Sequence, residues 1–135
     1  MGIYDDSRRV ATGHRIVHHT MPARLIAELD LAIAAERLHD RWFNRSAVTA
    51  MAIRRFLDQG GPESVRGDPL SSYRRDRRRH TQFHLPAPLV VEYNATLDPK
   101  RNQADRYEPW ELVALAIRCF LDQGAMSLID ETDEA

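Results

Sequence analysis

Cysteine occurs once in the 135 residues, at Cys119. A lone thiol rules out a disulfide framework and a paired-Cys metal site, and its place in a helical apolar pattern marks it as a buried thiol rather than a nucleophile. No apolar run approaches the ~20 residues that cross a bilayer. The opening stretch MGIYDDSRRVATG has no apolar core, so no secretory signal is expected. Asp6 stands where an N-myristoylation motif requires Ser or Thr. The expected compartment is therefore cytoplasmic, and the Asn44-Arg45-Ser46 and Asn94-Ala95-Thr96 glycosylation patterns carry no weight there. There is no Gly-rich phosphate loop, no His-Glu-x-x-His pair and no nucleophile elbow. Neither an enzyme nor a cofactor is expected.

What remains is ordinary in bulk and unusual in order. Hydrophobic residues make up 43% and charged residues 29%, as in a soluble globular domain. Net charge is −1, but it is unevenly placed. Residues 1–80 hold 15 Arg against 10 Asp and Glu, a balance of +5. Residues 81–135 hold 4 Lys and Arg against 10 Asp and Glu, a balance of −6. A polyanion responds to such local excess, not to the chain total.

The chain contains one unit written twice. Ser46–Gly60 (SAVTAMAIRRFLDQG) and Trp110–Gly124 (WELVALAIRCFLDQG) are identical at nine of fifteen positions, at a constant offset of 64. The offset persists upstream, where Pro22-Ala23, Leu25 and Glu28 become Pro86-Ala87, Leu89 and Glu92. Each copy, about 45 residues long, is too short to bury a stable core alone. Two copies in one chain amount to an intramolecular dimer, and a two-fold object suits a two-fold target such as DNA.

The periodicity orders each copy as strand, helix, turn, helix. Residues 1–13 form a loose arm, 14–60 the first repeat, 61–79 an Arg-rich linker, 80–126 the second repeat and 127–135 an acidic tail. His14–Met21 and His80–Leu85 are the strand candidates. A helix follows from Ala23 to about Asp40, and a shorter one over Ala87–Leu97, ended by Asp98-Pro99. The break at Trp42–Arg45 precedes a helix over Ser46–Gln59, capped by Asn44 or Ser46 and stopped by a left-handed Gly60. Lys100–Glu108 is a polar connector before the last helix, which opens at Pro109-Trp110.

This pattern resembles the ribbon-helix-helix family of DNA-binding proteins. The residues that carry the likeness are Gln82-Phe83-His84-Leu85-Pro86, as a strand end, and Arg45-Ser46 running through Phe56-Leu57, as a turn and second helix. The tandem single-chain form is similar to the TraY-type relaxosome proteins of conjugative plasmids. The resemblance implies an α+β, mainly helical fold: a two-stranded antiparallel ribbon over four helices, with Ile53, Phe56, Ile117 and Phe120 buried where the second helices cross. It implies sequence-specific duplex DNA binding through the ribbon in the major groove, as a transcriptional repressor or a plasmid accessory factor. Outward side chains would read bases: Ile16, His18 and Thr20 from the first strand, His80, Gln82 and His84 from the second. Val17, His19 and Met21 would face inward. Phosphate would be held by Asn44, Arg45, Ser46 and the Ala47 amide, by the amides near Trp110 and Glu111, and by the linker residues Arg77, Arg78 and Arg79.

Several features depart from that pattern. The connection between the two helices of each copy is long, and the outward strand residues include no Arg or Lys. The second turn, Tyr107-Glu108-Pro109-Trp110, lacks the Arg-Ser pair, and its Glu108 and Glu111 repel phosphate. These departures suggest an asymmetric reader of a non-palindromic site, or partial loss of DNA binding. The alternative function is an antitoxin-like protein-interaction module, with a protein partner held by the acidic second half or tail. Side-by-side association of further copies on DNA is open. The histidines His14, His18, His19, His80 and His84 gather if the strands pair, yet a wet polar surface is the expected reading and no metal is predicted. Trp42, Phe43, Tyr107 and Trp110 are expected to plug the corners between helices rather than to stack on bases. The run Tyr73–Arg79 is either a basic arm on the DNA backbone or a solvated linker kept flexible by self-repulsion.

Overall fold

The computed structural model describes residues 13–37, 43–97 and 107–124. The expected N-terminal arm, Trp42, the Asp98-Pro99 stop, most of the polar connector and the acidic tail lie outside the described residues.

The described residues form an α+β, mainly helical fold: a two-stranded antiparallel sheet and four helices. Strand β1 (His14–Pro22) leads into α1 (Ala23–Arg37), which is followed by α2 (Arg45–Asp58). Two single-turn 3-10 segments, Gly61–Ser64 and Ser71–Tyr73, cross to β2 (Arg78–Pro86). Then come α3 (Ala87–Thr96) and α4 (Pro109–Asp122). The bounds of β1 and β2, and of α2 and α4, differ by the same 64 residues found in the sequence repeat.

Local chemistry accounts for the helix ends. Asn44, and not Ser46, caps α2: its Oδ1 accepts the Ala47 amide at 2.7 Å and satisfies one orphan donor. Pro109 opens α4, where a missing N–H costs nothing. Gly60 ends α2 at φ 115°, and a Cβ there would lie 3.0 Å from that of Ser64.

The register places residues 64 apart in matched surroundings. His18 stands opposite Gln82, its own counterpart, at the centre of the ribbon. At the far end of the molecule the counterparts Gln59 and Gln123 face each other, with Gln123 Nε2 donating to Gln59 Oε1 at 3.0 Å. The Ala23 amide donates to the Arg77 carbonyl at 2.8 Å, and the Ala87 amide to the Gly13 carbonyl at 2.6 Å. Two ion pairs repeat the relation: Arg54 grips Glu92 with both terminal nitrogens (2.5 and 2.8 Å), and Arg118 grips Glu28.

The core lies between the inner face of the ribbon and the crossing of α2 and α4. Phe83, Leu85 and Met21 come down from the strands, and Ile53, Phe56, Ile117 and Phe120 meet them, all buried. Leu25, Leu29, Val90 and Tyr93 from α1 and α3 close the sides. Neither copy holds this core alone, since every layer draws on both.

Of the two readings of the linker, the flexible, self-repelling one does not describe its Leu70–Tyr73 part. Leu70 and Tyr73 are buried, and the Tyr73 hydroxyl donates to Glu28 Oε2 at 2.9 Å while receiving Arg118 Nη1 at 2.5 Å. Arg74 chelates Asp68, and Arg24 pairs with Asp76. Two buried apolar side chains outweigh the self-repulsion of the Arg run. Its last members, Arg78 and Arg79, belong to β2.

Candidate nucleic-acid interface

A two-stranded ribbon alternates its side chains, so one face is committed to the core and the other is left outward. Thr81, Phe83, Leu85 and Met21 are buried, and Val17 and His19 are half-buried on the same side. His18, Thr20, His80 and Gln82 are exposed on the opposite face, with Ile16 and His84 half-buried beside them. The six candidate base readers thus share one outward face, in the cross-strand pairs Ile16–His84, His18–Gln82 and Thr20–His80.

Contacts within that face hold it in place. His18 Nδ1 lies 3.2 Å from His80 Nε2, with the rings stacked at 5.2 Å between centroids. Gln82 Nε2 lies 3.4 Å from His84 Nε2. His19 is not part of the face. It sits beneath the sheet with Nε2 3.2 Å from the Tyr93 hydroxyl, and burial lowers its pKa below the ordinary value, aided by the neighbouring His18. Burial also pushes the Tyr93 hydroxyl up to about 12. Among the described residues, no three metal-ligating side chains converge.

The start of α2 lies beside one end of the ribbon. Ser46 Oγ accepts the His84 amide at 2.9 Å and fastens the helix to β2. Between helix and ribbon runs an open groove of about 710 Å³, lined by His14, Asn44, Arg45, Ser46, Ala47, Gln82 and His84, with Ala50, Met51 and Pro86 as its apolar floor. Polar side chains line this groove, but the Ala47 amide expected on phosphate is taken by Asn44 Oδ1 at 2.7 Å, which corrects the expectation that this pair is a free phosphate cradle. Arg45, expected on phosphate, is engaged elsewhere: its Nε and Nη2 hold Asp30 of α1 at 3.0 and 2.6 Å. It braces the corner between α1 and α2.

The start of α4 is built otherwise. Glu111 Oε1 accepts the Glu108 amide at 2.9 Å, one half of a capping box. The other Glu111 oxygen takes Arg74 Nη1 at 3.1 Å, and Glu111 is only 8% exposed. The Trp110 indole donates to Glu108 Oε2 at 2.8 Å. The Arg78 guanidinium carbon lies over the Trp110 ring, 4.0 Å from its centroid, and Arg78 is half-buried. Trp110 and Glu111 therefore lie at a helix start filled by its own carboxylates, which corrects the expectation of a phosphate cradle there. Arg77 and Arg79 are exposed beside this end, and so is Arg75.

Sequence reasoning missed the Asp30–Arg45 brace, the Ser46–His84 tie and the Arg78–Trp110 stack. Only the capping box had a local signal, the Glu-x-x-Glu spacing of Glu108 and Glu111. The other three join residues far apart in the chain. Phe43, Tyr107 and Trp110 do pack against the core as corner plugs. Cys119 is half-buried, and burial raises its thiol pKa. No helix among the described residues is long and apolar enough to cross a membrane. No protein-family model matches the chain, and no curated protein and no solved structure matches it either.

Proposed function

We propose that the chain is a tandem ribbon-helix-helix pseudo-dimer that binds duplex DNA sequence-specifically, its ribbon entering the major groove, as a repressor or a plasmid accessory factor. The observation that carries this reading is the pairing of β1 with β2, centred on His18 opposite Gln82, with a polar outward face. A ribbon of this width fits the ~12 Å major groove. Gln82 is suited to a bidentate contact with adenine, and Thr20 and Ile16 to thymine methyl groups. The exposed Arg75, Arg77 and Arg79 supply sequence-independent affinity.

Selection of bound fragments from a random-sequence duplex pool tests the proposal. Enrichment of one sequence is expected, with affinity falling steeply between about 50 and about 200 mM salt. Gln82→Ala is expected to weaken binding to the enriched duplex about tenfold, one bidentate contact's worth, and to leave non-specific binding unchanged. A flat salt response with no enrichment would overturn it. The closed start of α4 favours a second reading, a protein-interaction module of antitoxin type. That reading gains if duplex of every sequence fails to bind at low salt.

A further inference from the structure

The two ends of the ribbon are counterparts in fold and different in chemistry. The helix-start groove at the α2 end is open. At the α4 end Trp110 stands where the groove has Ser46, and Arg78 stands where it has His14. The floor confirms the difference: Ala50 and Met51 are half-buried, whereas their counterparts Ala114 and Leu115 are buried. One end therefore presents an open groove beside a helix start capped by the neutral Asn44, and the other presents exposed guanidinium groups beside a helix start capped by carboxylates.

The outward face is unequal in the same sense. Counterparts 64 residues apart on that face are Ile16 and His80, His18 and Gln82, Thr20 and His84. Every outward position differs, while nine of fifteen positions in the crossing helices are identical. The three outward residues of β1 include two that offer methyl groups. Those of β2 are all hydrogen-bonding side chains.

We infer that the chain reads a non-palindromic duplex and sits on it in one orientation, β1 over a thymine-rich half-site and β2 over a half-site read by hydrogen bonds. The inference rests on the DNA-binding reading above. A symmetric ribbon binds a duplex equally well when turned about its two-fold axis. Here turning would exchange the methyl-bearing strand for the hydrogen-bonding one, leaving base-edge donors and acceptors unmet. It would also exchange the open groove for the closed end. Orientation then becomes part of specificity.

The test is selection from a random-sequence duplex pool with the full chain, followed by the triple variant I16H/H18Q/T20H, which makes both strands read His-Gln-His. The three positions are on the outward face, and a thermal melt checks that the variant folds. The expected wild-type consensus has no two-fold symmetry. The variant is expected to prefer, by about tenfold or more over wild type, a palindrome built from the half-site that β2 reads. A two-fold symmetric wild-type consensus overturns the inference and leaves the DNA-binding reading standing. Failure to enrich any duplex overturns both.

Discussion

The helices α2 and α4 occupy counterpart places and have diverged in opposite ways along their length. Where they cross, Ile53, Phe56 and Leu57 match Ile117, Phe120 and Leu121. At their starts, Asn44-Arg45-Ser46 corresponds to Glu108-Pro109-Trp110. The crossing is a shared interior, so a change in one helix is felt by its partner at once. The starts are separate surfaces. In a dimer of identical chains every substitution appears at both ends. A single chain carrying both copies can alter one end and keep the other, which is how an open groove and a closed one come to share one fold.

The largest expected effect tests the shared interior. Phe56→Ala and Phe120→Ala should each cost about 3–5 kcal/mol, and each should unfold the whole described fold in one transition, seen by thermal melting and by denaturant titration. Two separated transitions would break the comparison, since each copy would then be stable alone. Next come the two cross-copy ion pairs. Arg118→Met leaves Glu28 and the buried Tyr73 short of a partner and should cost about 1.5–3 kcal/mol. Arg54→Met removes an exposed pair and should cost no more than about 1 kcal/mol. Equal losses would mean that Tyr73 adds nothing to its side.

A smaller effect runs the other way. Thr49 is fully buried and its hydroxyl has no hydrogen-bond partner among the described residues, whereas its counterpart is Val113. Thr49→Val should stabilise by about 1 kcal/mol, measured as a raised denaturation midpoint. The smallest effect concerns pH. The pKa of His19 is lowered in the folded state, so protonation is harder there than in the unfolded chain. Its contribution to stability is present above the ordinary value of 6.5 and is lost as pH falls below it. His19→Leu should flatten the stability profile in that acidic window, and its counterpart Phe83 has no such titration to remove.

The fold was legible wherever the signal repeated. The 64-residue offset located both strands and both crossing helices, and counting from Pro22 placed the inward and outward strand residues on their observed faces. Asn44 and Gly60 were legible because caps and stops have local chemistry. The flexible reading of the linker misled because polar composition hides Leu70 and Tyr73, two anchors that gain meaning only against a core formed by distant residues. Arg45 and Arg78 misled for a related reason. A cation in sequence reads as available charge, and only the fold brings Asp30 and the Trp110 ring against them.

Amide hydrogen exchange of the full chain, with and without the duplex enriched from the random pool, tests the central claim most directly. Added protection is predicted over His14–Pro22, Arg78–Pro86 and the first turn of α2, with the Gln59–Gln123 end unchanged. Protection centred on Gln59 and Gln123, with the ribbon exchanging as before, would contradict it.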